Sequence, residues 1–259
     1  MNASASFVAK SFAMVGVETT KLKRDPTEIL SRAVQPALWM LVFGQVMART
    51  RAIQTGSLPY LDFMAPGILA QSVLFTSIFY GLSAIWERDL GILQKYLVSP
   101  TPRTALVTGK ALSAGVRGLI QSVIVYTLSF VLGVHLNWNP VDLTGGLLAI
   151  VLGAAFFSTF SLIIACIVKS RERFMGIGQV LTMPLFFASN AIYPISLMPS
   201  WLQVVSRLNP LSYQVDLLRS TMIVGGTSSF NMGIDLAVLF ASTVVVILIA
   251  ARLYPGLAR

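Results

Sequence analysis

The sequence predicts an all-α integral membrane protein: six transmembrane helices, an N-terminal amphipathic interfacial helix, and an outer re-entrant helical hairpin before the last span. Three observations predict it. Hydrophobic residues make up 55% of the 259 positions, with a mean hydropathy of +0.76. Charged residues make up 11%, against roughly a quarter in an average soluble domain, too few to clothe a water-soluble globule of this length. Third, the apolar residues fall in runs long enough to cross a bilayer core, which takes about 20 residues of helix.

The chain divides into an N-terminal segment, residues 1–26, and a transmembrane domain, residues 27–259. Within 7–24, Val8, Phe12, Val15 and Leu22 fall on one helical face and Lys10, Lys21 and Arg24 on the other. A basic amphipathic helix leading straight into a span suits the membrane interface, and an ordinary surface helix is the plainer alternative. Asp25-Pro26 breaks it. Spans are expected at about 29–48, 63–86, 118–136 (with a start as deep as Ala111), 143–168, 174–191 and 234–253. The second holds no charge between Asp62 and Glu87, and the fourth is closed by a tight charged turn, Lys169, Arg171, Glu172 and Arg173. The uncharged stretch 174–206 is too long for one span and is punctuated by Pro184, Pro194 and Pro199. Irregular backbone at membrane depth must be buried in protein or line a cavity. Residues Tyr193 to Pro210, with Pro194, Pro199, Trp201 and Asn209, are therefore expected to form a re-entrant hairpin or a lid at one membrane face, and the family resemblance given below implies that this is the outer gate.

Loop charge sets the orientation. With the N-terminus inside, the inner segments hold thirteen basic residues, Lys10, Lys21, Lys23, Arg24, Arg88, Lys95, Arg103, Lys110, Lys169, Arg171, Arg173, Arg252 and Arg259. The outer segments hold four, Arg49, Arg51, Arg207 and Arg219, so the positive-inside rule places both termini in the cytoplasm. Trp138, Trp201, Tyr60 and Tyr193 then fall near the outer interface and Trp86 near the inner one. The net charge of +9 is explained by topology, and nucleic acid is not expected as a partner.

Several chemistries are excluded. One cysteine, Cys166, and one histidine, His135, leave no disulfide framework and no multi-cysteine or two-histidine metal site. Cys166 reads as a buried thiol and His135 as a solvated loop residue. Thr108-Gly109-Lys110-Ala111 is the nearest approach to a phosphate loop, but Thr104 stands where glycine is needed and Ala111 where a hydroxyl is needed. Catalytic residues and cofactors are not expected in this chain, and Lys110 reads as a membrane-surface anchor. Arg32 and Arg117 are expected to snorkel from inner span ends. No chain of intramembrane carboxylates marks a proton-coupled pump.

Two clusters remain. Leu90, Leu93 and Leu97 recur at helical spacing among Glu87, Arg88, Asp89 and Lys95, which predicts one short amphipathic helix ending near Ser99-Pro100. It rests either on lipid headgroups or in a protein groove; its mixed charge and short apolar ridge suit the groove. Asp216 and Arg219 lie three apart on a helix after Asn209-Pro210, a spacing that allows an ion pair; direct contact with a substrate is the alternative.

Three segments together resemble the type-two ABC exporter permeases, the superfamily of daunorubicin-resistance and polysaccharide-export permeases. The first runs from Ala65 to Leu112 and carries Glu87, Gly91, Leu93, Leu97, Ser99-Pro100, Arg103 and Gly109-Lys110 in the family's order. The second is Tyr193 to Pro210. The third carries Asn209, Pro210, Leu211, Tyr213, Asp216 and Arg219. Residues 34–46 are similar to the drug-export branch. Asp89-Leu90 departs from the pattern, since many relatives place another glutamate and an arginine there. The resemblance implies a dimer of six-span permeases in the cell membrane, bound to two cytoplasmic nucleotide-binding subunits that hold the ATP and magnesium. It also implies that the N-terminal helix and the loop with Glu87, Arg88, Leu90, Leu93 and Leu97 couple hydrolysis to export of an amphipathic small molecule, a lipid or a lipid-linked glycan. A secondary transporter or channel working alone is the rival reading.

The charge bias makes a topology prediction. Reporter fusions at Gly56, Asn139 and Thr227 are expected to read outside, and fusions at Ser99 and Arg171 inside. An outside signal at Ser99 contradicts the arrangement.

Overall fold

The computed structural model describes residues 26–98, 102–168 and 170–258, together with Gly16 and Thr20. The expected 7–24 helix, Ser99-Pro100 and Lys169 lie outside the described residues, those two single positions apart. Among the described residues the regular elements are helices. They are α1 (Pro26–Leu38), a π-helical stretch (Trp39–Gly44), α2 (Gln45–Thr50), α3 (Tyr60–Tyr80), α4 (Leu82–Asp89), α5 (Ile92–Val98), α6 (Arg103–Val131), α7 (Pro140–Val168), α8 (Arg171–Phe187), a 3-10 turn (Ile195–Leu197), α9 (Ser200–Leu208), α10 (Pro210–Met222), α11 (Met232–Leu253) and a final 3-10 turn (Tyr254–Ala258).

A helix that is apolar all round belongs in the middle of a bundle, and α3 and α7 have that composition. α7 packs against α3, α6, α10 and α11, and nearly every side chain of α3 is buried. The large apolar side chains left exposed lie on the outer helices: Val34 and Leu38 on α1, Val123 and Phe130 on α6, Val180 and Phe187 on α8, Phe240 and Leu248 on α11. Exposed apolar surface on this scale requires lipid as its solvent. Among the described residues four helical stretches are long and apolar enough to cross a membrane: Tyr60–Asp89, Arg103–Val131, Pro140–Val168 and Met232–Leu257.

Several boundaries differ from the sequence expectation. The second span starts at Tyr60 and runs on through Glu87 to Asp89, with a break at Gly81 where the Ser161 hydroxyl donates to the Ile78 carbonyl. The third starts at Arg103, so Lys110 and Arg117 lie within a 29-residue helix and not at a membrane-surface loop. The fifth, α8, is only 17 residues and stops at Phe187, short of a simple span. The apolar stretch after it is ordered as two short helices meeting at Asn209. α9 keeps Trp201, Val204 and Leu208 exposed, whereas α10 is buried against α3, α7 and α11. Tyr60, expected in an aromatic belt, is buried and donates its hydroxyl to the Ile192 carbonyl at 3.2 Å.

The first helix shows how backbone demands are met at depth. Pro36 has no N–H, so the carbonyl four residues earlier, Arg32, loses its helical donor. The buried Gln121 of α6 donates its amide to that carbonyl at 3.3 Å. Gln121→Leu keeps the volume and removes the donor. It is expected to cost about 0.5–1.5 kcal/mol, read as a lowered thermal midpoint of the purified protein, because this hydrogen bond between α1 and α6 is removed. An unchanged midpoint contradicts the assignment.

Candidate functional site

The buried charged side chains gather toward the two ends of α3, so the site has two parts. At one end α3 passes into α4 and presents Glu87 inward. Glu87 is 4% exposed and accepts from the Lys110 ammonium of α6 at 2.7 Å. Lys110 and Arg117 stand over the Tyr80 ring at 5.9 and 4.9 Å. A buried charge must be paired, and here α4 and α6 each supply one partner.

Gly91 then ends α4. Its φ of +71° is a left-handed cap that a side chain disfavours, and the Leu90 and Gly91 amides close on the Trp86 and Arg88 carbonyls at 2.9 Å. The expected single helix from Glu87 to Leu97 is therefore two, α4 and α5, set at an angle by this cap. The consequence for its ridge is large. Leu93 is fully buried with Leu106, Val107, Cys166, Tyr254 and Leu257, while Leu90 is 70% exposed. The side chain of Leu97 lies outside the described residues. Outward-facing apolar groups at this end are Trp86, Leu90, Val98 and Ile167. Beside them Asp89 accepts two forked arginines, Arg88 and Arg171, each with contacts of 2.7 and 3.0 Å. Arg171 also covers the Trp86 ring at 5.4 Å. Such an exposed clasp adds little stability, but it fixes the end of α4 against the start of α8. Cys166 is buried in the same cluster as Leu93.

At the other end of α3, Arg219 of α10 is buried over the Phe63 ring at 3.8 Å. It donates to the Asn190 carbonyl at 2.7 Å and to the Phe63 carbonyl at 3.3 Å, and stands 3.6 Å from Asp216. Asp216 is fully buried and accepts from the Asn190 amide at 3.0 Å, from both the amide and the hydroxyl of Ser229, and from the Phe230 amide at 3.0 Å. The expected Asp216–Arg219 pair is thus present, as the centre of a wider network. Of the proposed gate residues, Pro194 and Pro199 start the 3-10 turn and α9. Asn209 caps α10 by accepting from the Leu211 amide, and donates to the Leu185 carbonyl at 2.7 Å; Pro210 takes the first helical position, where its missing N–H costs nothing. The Tyr193 hydroxyl donates to the Phe187 carbonyl. Trp201 faces outward, away from this network. His135 is exposed, as a loop histidine should be, but is also tied to the buried Asp62 at 2.8 Å.

Sequence reasoning missed Lys110 as the partner of Glu87, the Asp89–Arg171 clasp, and Asn190 as the hub between Asp216 and Arg219. A lysine and a glutamate each inside an apolar helix were the available signal for the first.

Residues 10–223 match the family model described as ABC-2 type transporter. The chain belongs to the ABC-2 type transporter family. Among similar proteins are a putative transport permease, ycf38, of Cyanophora paradoxa, 30% identical over 82% of this chain and 74% of its own. The daunorubicin resistance ABC transporter permease protein DrrB1 of Streptomyces coeruleorubidus is 24% identical over 90% of this chain and 81% of its own. The inner membrane transport permease YadH of Escherichia coli K12 is 26% identical over 70% of each. The ABC-2 match contains both polar ends of α3, and α11 follows it.

The pairing predicts what substitution does. Glu87→Ala leaves Lys110 buried beside a lost partner and is expected to cost about 3–5 kcal/mol. Glu87→Gln with Lys110→Met should recover part of that loss. Leu93→Asp should fail to accumulate in the membrane, whereas Leu90→Asp should accumulate normally. Folded yield by size-exclusion chromatography reads all four; a fully folded Leu93→Asp contradicts the burial.

Proposed function

We propose that this chain is the membrane-spanning permease subunit of an ATP-driven ABC exporter that moves an amphipathic small molecule, a lipid or a lipid-linked glycan out of the cytoplasm or the inner leaflet. The observation that carries the reading is family membership, supported by a relative whose name is that of a drug-resistance ABC permease. In this reading the permease spans the cell membrane six times as a dimer, with residues 1–26 on the surface and both termini cytoplasmic. Two nucleotide-binding subunits hold the ATP and magnesium, and this chain hydrolyses nothing by itself.

The ATPase docks on the Glu87 end. Leu90, Trp86 and Val98 offer the apolar contact, while Glu87 and Leu93 act from inside by setting α4 and α5 against α6. The Asp89–Arg171 clasp carries the push to α8. ATP binding can favour one state of the permease only through contacts that differ between the two, and this end supplies them. The segment from Tyr193 to Pro210 forms the outer gate, anchored through Asn190 to Asp216 and Arg219. A recess of about 340 Å³ between α1 and α3, lined by Arg32, Gln35, Ser72, Phe75, Thr76 and Phe79, suits an amphipathic substrate: one cation, hydroxyls and an amide beside two phenyl rings.

The test is co-purification with the ATPase and substrate-stimulated hydrolysis. Leu90→Asp should insert normally and weaken ATPase binding about tenfold or more, a loss of about 1.4 kcal/mol for each tenfold step. Wild-type affinity in that variant would remove Leu90 from the contact. Hydrolysis by the rigorously purified chain alone, or substrate flux without any ATPase, would favour the rival stand-alone transporter.

A further inference from the structure

The break between α3 and α4 sits beside a small cavity of about 10 Å³. The Ile78 carbonyl is taken there by the Gly81 amide at 3.2 Å and by the Ser161 hydroxyl of α7, and a side chain at Gly81 would run into Ser161. Three helices and the break supply polar walls: Gly81 and Ser83 where α4 begins, Lys110 of α6, and Ser158 and Thr159 of α7.

The hydrogen bonds of these walls do not close on each other. Lys110 and Thr159 are buried. A lysine head group carries more than one N–H, and among the described residues only Glu87 accepts from it, at 2.7 Å. The centre of the Tyr80 ring lies 5.9 Å from the Lys110 nitrogen, out of hydrogen-bond reach. Thr159 Oγ1 has no hydrogen-bond partner among the described residues. Ser83 spends its hydrogen on the Tyr80 carbonyl at 2.7 Å, and Ser158 on the Ala155 carbonyl at 3.2 Å, so each keeps lone pairs to fill. The cavity thus faces two groups with a hydrogen to give and two that can accept one. A water molecule accepts twice and donates twice. One buried water needs roughly 10–15 Å³ of such space and two to four polar partners, and this cavity offers both. Ordered water is also one of the means by which broken helices in membranes keep their polar groups satisfied.

We propose that this cavity is a binding site for a single water molecule, which accepts from Lys110 and Thr159 and donates to Ser83 and Ser158. The water joins α6 and α7 to the first turn of α4. Its consequence is mechanical: a direct side-chain bond fixes two helices at one distance, whereas a water can turn and re-form its bonds. On the reading that the ATPase pushes on α4, that helix can then turn about Gly81 without stranding Lys110. The water site itself does not rest on that reading, and its test contains no ATPase.

The test uses the purified full chain in lipid nanodiscs. Thr159→Val keeps the shape of the side chain and removes the hydroxyl. A buried hydroxyl with no partner is better replaced by a methyl, and the thermal midpoint would rise; a hydroxyl bonded to water is missed, and the midpoint falls. The expected result is a fall, and a smaller one when Thr159→Val is made in the Glu87→Gln, Lys110→Met background, where the water has already lost its lysine. A cryo-electron microscopy map that resolves ordered waters gives the second readout: density one water in size between Lys110 Nζ and Thr159 Oγ1, weakened or lost in Thr159→Val. A raised midpoint, an equal fall in both backgrounds, or a native map without that density overturns the proposal. Density that strengthens when bromide replaces chloride assigns an anion and overturns it too.

Discussion

In lipid no water waits to hydrogen-bond a carbonyl left open or to solvate an unpaired charge, so every polar group at depth must find its partner inside the protein. That constraint organises this chain around α3. Its two ends are where charges enter the bundle, and at each end the charge is met from another helix: Glu87 by Lys110 of α6, and the Phe63 carbonyl by Arg219 of α10. The same rule acts on the backbone, where Gln121 answers the carbonyl that Pro36 strands. Between the ends α3 packs on α7 mainly through apolar side chains, with the Ser161 hydroxyl of α7 on the Ile78 carbonyl of α3.

The two ends then differ in what they leave exposed. At the Glu87 end the polar pair is internal and the outward surface is Trp86, Leu90 and Val98 with arginines around them, a surface suited to another protein. At the Asp216 end the network closes on loops: Asn190, the 225–231 connection, and the Leu136–Ile223 bridge that holds the α6–α7 connection against the end of α10. A device that alternates access needs one end rigidly coupled to its motor and another held by contacts that can be released. Hydrogen bonds from loop amides to a single buried carboxylate are contacts of the second kind.

Much of this was legible in the sequence where composition or spacing carried it. Uncharged runs located the long helices, the prolines after Phe187 located the broken segment, and the three-residue spacing found Asp216 and Arg219. What was not legible had non-local causes. The Glu87–Leu97 segment reads as one helix by periodicity, but Gly91 takes a left-handed cap that splits it, and this turns Leu93 inward while leaving Leu90 outside. Lys110 reads as a surface anchor because its partner is 23 positions away on another helix. Asn190 lies in an uncharged stretch with no local partner in sequence; only the fold brings it to Asp216 and Arg219. The span ends were shifted because charged residues such as Glu87 and Lys110 can remain helical once they pair with each other.

The central claim is that the end of the bundle bearing Glu87 receives the ATPase while its charges stay buried. A cryo-electron microscopy structure of the permease assembled with its nucleotide-binding subunits in nanodiscs tests it most directly. The account predicts ATPase density against Leu90 and Trp86, with Glu87 still bonded to Lys110 and Leu93 still enclosed. ATPase density on the Tyr193 to Pro210 face, or Leu93 turned out into the subunit contact with the Glu87–Lys110 pair broken, would contradict it.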